Sequence, residues 1–322
     1  MSYRRDRIYR ELRAFRAIGH TGMLRHSLTS AFVGLTFAVL HATAFADGAL
    51  VQAVPHDIAL LLEQISANGG AAPAALSTDE FALLLEGEPV IKVPVEAQDD
   101  GADEVSEVGI FGLQIVEAPR LLVWLTVMGA PSEPDVRLTR VYLSRLPQGA
   151  YVRYQHIDLP WPIRDRHWVI LCEKNLDLAD SSNGVIWQHR WSLHKDGPKL
   201  LLDAQAQGRI EGLSRQDLDK SVYLPANRGA WTVADLGGGR TLVIGYFDAT
   251  LGGLLPKILV RTFASRQMRA GLKLIQDLTD RVHLDYDGEP EIHDGFGRPI
   301  MPQDVLQLAR RRQDAVDPAP TE

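Results

Sequence analysis

A single cysteine, Cys172, stands among 322 residues. One thiol cannot close an internal disulfide, and it cannot supply a zinc site built of several cysteines. Catalytic signatures are missing as well. There is no Gly-x-Ser-x-Gly elbow, no His-Glu-x-x-His, no phosphate loop ending in Gly-Lys, and no Gly-x-Gly-x-x-Gly after a strand. Ten histidines are dispersed along the chain. His189 and His194 cannot share a strand face, because an odd separation puts them on opposite sides. No metal and no cofactor is expected. The apolar run Ser27–Leu40 falls short of the ~20 residues of a membrane-spanning helix.

What is present is ordinary globular composition, 45% hydrophobic and 23% charged, enough for one large domain or two small ones. Residues 23–47 read as a secretory signal. Arg25 and His26 give a short basic region, Ser27–Leu40 is mostly apolar, and Ala44-Phe45-Ala46 offers small residues where a signal peptidase reads. The alternatives are a buried helix or a membrane anchor. Either Met1 or Met23 can be the start; in the second case the arginine-rich Met1–Gly22 is not translated. Cleavage after Ala46 implies a periplasmic or secreted protein. It removes seven of 34 basic and two of 41 acidic residues, leaving 27 and 39, a net charge of −12. An acidic body argues against nucleic-acid binding, which needs a basic footprint. It also argues against constitutive docking on anionic lipid, though transient membrane contact stays open.

Four segments follow: 1–46 for targeting, 47–86 as a helical preface, 87–283 as the main domain, and 284–322 as a polar tail. In the preface, Ile58, Leu61, Leu62 and Ile65 take helical spacing that ends at Asn68-Gly-Gly. Ser77-Thr-Asp-Glu80 is a capping-box pattern for a second helix through Leu85. Pro89–Pro94 reads as an edge strand bounded by prolines, Val105–Val116 as its partner, and Pro119–Met128 as a helix with proline in its first turn. Leu138–Leu146 and Ala150–Ile157 form a hairpin. Arg166–Lys174 and Gly184–His194 form another, joined by the polar stretch Asn175–Asn183. Leu200–Glu211, Gly229–Leu236 and Gly239–Ala249 are further strands, and Val222–Arg228 is a loop. Pro256–His283 is the strongest helix. Val260, Phe263, Ala264, Met268, Gly271, Leu274, Ile275, Leu278 and Val282 fall on one apolar stripe. Gln303–Arg312 forms a short helix, and the last residues are expected to be disordered.

Two segments carry a resemblance. One is Asp158-Leu-Pro-Trp-Pro-Ile-Arg-Asp-Arg-His-Trp-Val-Ile-Leu171. The other runs from Gly229-Ala-Trp231 through Gly237-Gly-Gly-Arg-Thr-Leu-Val-Ile-Gly-Tyr246 to Asp248-Ala-Thr-Leu-Gly-Gly-Leu-Leu-Pro256, with the long helix after it. In that order they resemble the START lipid-transfer domain over residues 84–283. The resemblance implies an α+β helix-grip fold, a curved antiparallel sheet wrapped around the C-terminal helix with an internal apolar cavity. It also implies a lipid or other hydrophobic small molecule as ligand, carried without catalysis. The family's Arg-Asp plus apolar residue is Arg166-His167-Trp168 here, so the arginine matches and histidine replaces the acid.

Under that resemblance Arg166 has two readings. It anchors a ligand head group through its fork of donors, or it is a structural ion-pair member beside Asp165, Asp158 or Glu173. The second is the commoner role of arginine at a turn-to-strand junction. Trp187, His189 and Trp191 alternate along one strand and share a face; Trp231 and Tyr246 come from the next strands. They either pack the core or line the cavity, with Met268, Leu272 and Ile275 of the long helix opposite. An enzyme on the same scaffold, a cyclase or hydrolase of apolar substrates, is the alternative. It would draw on Arg166, His189 and Tyr246. A module that binds a partner through the tail after Leu284 is a third class.

Overall fold

The computed structural model describes residues 57–93, 108–129, 137–159, 163–210, 213–250, 257–288 and 291–316. The signal at 23–46, the Pro160-Trp161-Pro162 turn, Leu251–Pro256 and the last six residues lie outside them. Helix α1 covers 57–67, and α2 covers Thr78–Leu85 behind a complete capping box of Ser77 and Glu80. Strands β1 (Val90–Lys92) and β2 (Val108–Val116) lead to α3 (Arg120–Gly129). Then come β3 (Arg137–Arg145), β4 (Tyr151–Asp158), β5 (Arg166–Lys174), α4 (Leu176–Ser181) and β6 (Ile186–Leu193). Helices α5 (Gly197–Ala206) and α6 (Arg215–Lys220) precede β7 (Val222–Tyr223), β8 (Ala226–Gly237) and β9 (Arg240–Thr250). The chain closes with α7 (Lys257–Thr279), α8 (Val282–Asp285) and α9 (Pro302–Val316). None of the described helices is long and apolar enough to cross a membrane.

One open, curved sheet runs β1-β2-β9-β8-β6-β5-β4-β3, antiparallel throughout, with β7 added in parallel on β5. The proline-flanked β1 takes an edge position, as its sequence predicts. The β8–β9 hairpin turns over Gly237, Gly238 and Gly239, all with φ between 60° and 75°. That left-handed backbone is open to glycine at little cost, so the three glycines serve a turn and not a nucleotide.

Three sequence expectations give way. Leu200–Glu211 is not a strand: α5 occupies Gly197–Ala206. Pro198 opens it, and Leu201 and Ala204, one helical turn apart, bury against Tyr154 and Val169. The loop expected over 222–228 holds β7 and the start of β8. The polar stretch after β5 contains α4, nucleated by Asn175, whose Oδ1 accepts the Leu178 N–H at 3.3 Å.

The sheet has two clothed faces. On the inner face α3 and α7 lie over Trp187, Val233 and Val243, with Met268, Leu272 and Ile275 reaching down from α7. Burying an aliphatic side chain of that size contributes about 1.5–3 kcal/mol. On the outer face α1 and α2 cover Phe111, Leu113, Ile115, Leu242 and Ile244 at one end. Helices α5 and α6 cover Tyr154 and Val169 at the other. The segment after Leu284 adds Ile292, Ile300 and Val305 to the inner core despite its polar composition.

Candidate functional site

The inner face is built from cross-strand rows. Gly112 of β2 pairs with Gly245 of β9, Gly245 with Trp231 of β8, Trp231 with His189 of β6, and His189 with Lys174 of β5. Directly opposed residues in antiparallel strands project to the same side, so all five face α7. Met268 is seated over the glycine pair. A Cβ at Gly112 would fall 2.4 Å from Met268 Cγ, and one at Gly245 would fall 2.8 Å from Met268 Sδ and 2.7 Å from Trp231 Cζ3. Two glycines in register are what let the helix descend this far. The neighbouring row holds Phe247, Gly229, Trp191, Cys172 and Tyr151. Here Trp191 lies on Gly229, where a Cβ would meet its ring at 2.2 Å, and its Nε1 donates to Asn227 Oδ1 at 2.9 Å.

The structure therefore brings together Trp187, His189, Trp191, Trp231, Met268, Leu272 and Ile275. Trp187 meets Trp124 edge-on at 5.7 Å between ring centroids and carries the Arg120 guanidinium 4.0 Å from its own. The buried line on α7 is Met268, Leu272, Ile275 and Thr279, at steps of four, three and four. This line differs from the expected stripe. Phe263 is 42% exposed, and a Cβ on Gly271 would meet open space.

Tyr246 stands apart from the group. It follows Gly245 by one residue, and a strand alternates its side chains, so it points to the outer face. There it stacks on Phe111 at 4.7 Å and donates to Asp248 Oδ2 at 3.0 Å. Burial, then Asp248, pushes its phenol up to about 12. Arg166 shares the inner side of β5 with Lys174 but sits eight residues away, about 26 Å along the strand. It is buried, and its Nη1 donates to the carbonyls of Arg164 and Asp165. It holds the turn that leads into β5.

At the end of the inner face lies a cavity of about 180 Å³, lined among others by Tyr142, Tyr151, Lys174 and His293. Lys174 is 6% exposed. Its ammonium lies 3.6 Å from Met128 Sδ and 4.9 Å from the centre of the Trp124 ring. Burial brings its pKa down to about 7. Beside it, Tyr151 Oη lies 3.2 Å from His189 Nε2, and the two rings stack at 5.7 Å. Burial, with Lys174 and Arg153 adding repulsion, holds His189 well below its ordinary range, so it is neutral. Burial, with Cys172 next, raises the Tyr151 phenol. Tyr151, Cys172 and Lys174 escape a sequence reading because a lysine at a strand end looks solvated. Strand parity held the signal: Cys172 and Lys174 are in step with Trp168 and Ile170.

A second cluster joins His156, Asp158 and Asp165, whose ligand atoms lie within 4.8 Å of one another. Both carboxylates are well exposed, at 46% and 39%. His156 Nδ1 pairs with Asp158 at 3.1 Å, its Nε2 lies 3.2 Å from Ser221 Oγ, and Asp165 Oδ1 accepts the Leu159 N–H at 2.9 Å. These contacts fasten the β4–β5 connection to α6.

No protein-family model and no curated protein matches the sequence. Among solved structures, human StAR-related lipid transfer protein 5 is 14% identical, with 61% of this chain and 84% of that chain covered at a TM-score of 0.43. The STAR-related lipid transfer protein from Xanthomonas axonopodis is 16% identical, with 59% and 99% covered at 0.41. The Zhui aromatase/cyclase from Streptomyces is 17% identical, with 55% and 95% covered at 0.33. The open antiparallel sheet with a long C-terminal helix packed on one face is an α+β architecture.

Proposed function

We propose that this chain binds a lipid or other hydrophobic small molecule between the inner sheet face and α7, as a carrier without catalysis. The observation that supports the reading is the cavity at Lys174, which opens at the end of the row that carries His189 and Trp231 toward α7. Aromatic walls with a few convergent polar groups are the ordinary make-up of small-molecule sites. A fluorescent long-chain acyl probe tests it. Saturable binding, reversed by unlabelled fatty acid or sterol, supports the reading, and the absence of any saturable signal removes it.

An enzyme on the same scaffold, a cyclase or hydrolase acting on an apolar substrate, is favoured by one observation only. Lys174 titrates near neutrality beside the Tyr151–His189 pair. The three groups nominated from sequence do not converge, since Arg166 and Tyr246 lie away from His189.

Export to the periplasm or medium belongs to the same proposal and rests on the basic, apolar, Ala-x-Ala order at 23–46. N-terminal sequencing of the mature protein is expected to begin at Asp47; an intact Met1 or Met23 in the cytosol would remove it. The acidic mature body favours no nucleic acid and only transient contact with membranes.

A further inference from the structure

We propose that the cavity at the Lys174 end of the inner face receives the single carboxylate of an amphipathic ligand, whose apolar chain runs along the His189–Trp231–Met268 row. This rests on the hydrophobic-ligand reading above and names the ligand class.

Three observations converge on it. Lys174 is a buried cation that forms no ion pair with a carboxylate among the described residues, and it lines a cavity. Buried charges are otherwise paired, and a sulfur and an indole face supply only weak attraction. Two arginines stand nearby as well. Arg153, 5.5 Å from the Tyr151 ring centre, has a buried Nε without a partner, and Arg145 joins the cavity wall. The acids nearby are already engaged: Glu291 at the rim lies 3.3 Å from His293 Nε2, and Asp294 is held by Arg298 at 2.8 Å.

Size and charge narrow the class. The cavity, about 180 Å³, is below the ~300–1,000 Å³ of sites that enclose a whole drug-sized molecule. It takes the end of a ligand, not all of it. Lys174, His189 and Trp231 occupy successive strands, so Trp231 lies about 10 Å from Lys174 across the sheet. A straight alkyl chain spans that distance easily and would reach the helix at Met268. The cavity wall carries Lys174 and Arg145 against Glu291, a net single positive charge that matches one negative charge better than two. Burial already lowers the Lys174 pKa to about 7. A bound carboxylate reverses that shift, so binding above neutrality must draw a proton onto the amine.

Calorimetric titration with dodecanoate, dodecanol and dodecyl phosphate decides the matter, using the full mature chain, Lys174→Met and Lys174→Arg. The expectation is that Lys174→Met loses about tenfold or more in dodecanoate affinity, keeps dodecanol unchanged, and that Lys174→Arg restores most of the loss. At about pH 8 the wild type should take up close to one proton per dodecanoate and Lys174→Met none. Dodecanol binding that equals dodecanoate in both wild type and Lys174→Met would overturn the carboxylate seat and leave the hydrophobic reading standing. Preference for dodecyl phosphate would overturn the single-charge assignment. Failure of all three ligands to bind the wild type would remove both readings together.

Discussion

Gly245 faces Trp231 across the β8–β9 ladder, and Met268 of α7 fills the space above both. The missing Cβ is what sets the height of the helix over the sheet. Position 245 therefore couples strand sequence to the geometry of the proposed site.

Gly245→Ala should destabilise the protein, because the new methyl would press on the rigid Trp231 ring at 2.7 Å. Overpacking of this kind costs about 1–3 kcal/mol. Met268→Ala in the same chain should recover only part of it, since the ring remains. Gly271→Ala is the contrasting case. It sits within α7 facing open space, so alanine should stabilise by about 1 kcal/mol. Denaturant melts of the four proteins check this; a stabilising Gly245→Ala would show that the helix is not held against the sheet.

Lys174 should make stability depend on pH in a defined window. Its folded pKa is about 7 against an ordinary 10.5. Below about pH 7 both folded and unfolded chains hold the proton, and the buried charge costs its full desolvation. Between the two values the unfolded chain binds the proton and the folded chain does not, so stability rises with pH. Lys174→Met should thus be more stable than wild type at about pH 6, with the advantage shrinking toward about pH 10. Unfolding curves of both proteins across that range give the difference directly. A difference that does not change with pH would mean that the amine stays charged and partnered in the folded state.

The segment after α8 should matter for the aromatic wall. A Cβ at Gly295 would come within 2.1 Å of Trp187 Cδ1, and the Trp124 Nε1 donates to the His293 carbonyl at 2.8 Å. Gly295→Ala should therefore cost about 1–3 kcal/mol and alter the near-ultraviolet circular dichroism of the tryptophans. An unchanged spectrum and melt would place this segment away from Trp187.

Most of the sheet was legible because its strands carry local signals. Proline marked the β1 edge, three glycines marked the β8–β9 turn, and Ser77 with Glu80 marked α2. What misled were segments where local pattern and tertiary packing disagree. Leu200–Glu211 is apolar enough for a strand, yet Pro198 and the i, i+3 pair Leu201 and Ala204 commit it to a helix on Tyr154. Residue type alone groups Tyr246 with Trp231, although its parity beside Gly245 sends it to the other face. Strand parity places Lys174 on the inner face, but its burial comes from Trp124, on a helix fifty residues earlier, and no local pattern shows that contact. The candidate site is assembled from β2, β5, β6, β8, β9 and α7. Its register could be had only once the ladders were known.

The central claim is that a hydrophobic ligand lies between the inner sheet face and α7. It is tested most directly by photo-crosslinking with a fatty acid that carries a diazirine mid-chain, followed by peptide mapping. The account predicts saturable labelling, competed by unlabelled fatty acid, on Trp231, Met268 or Leu272. Labelling confined to the outer face around Phe111 and Tyr246, or labelling that no competitor reduces, would contradict it.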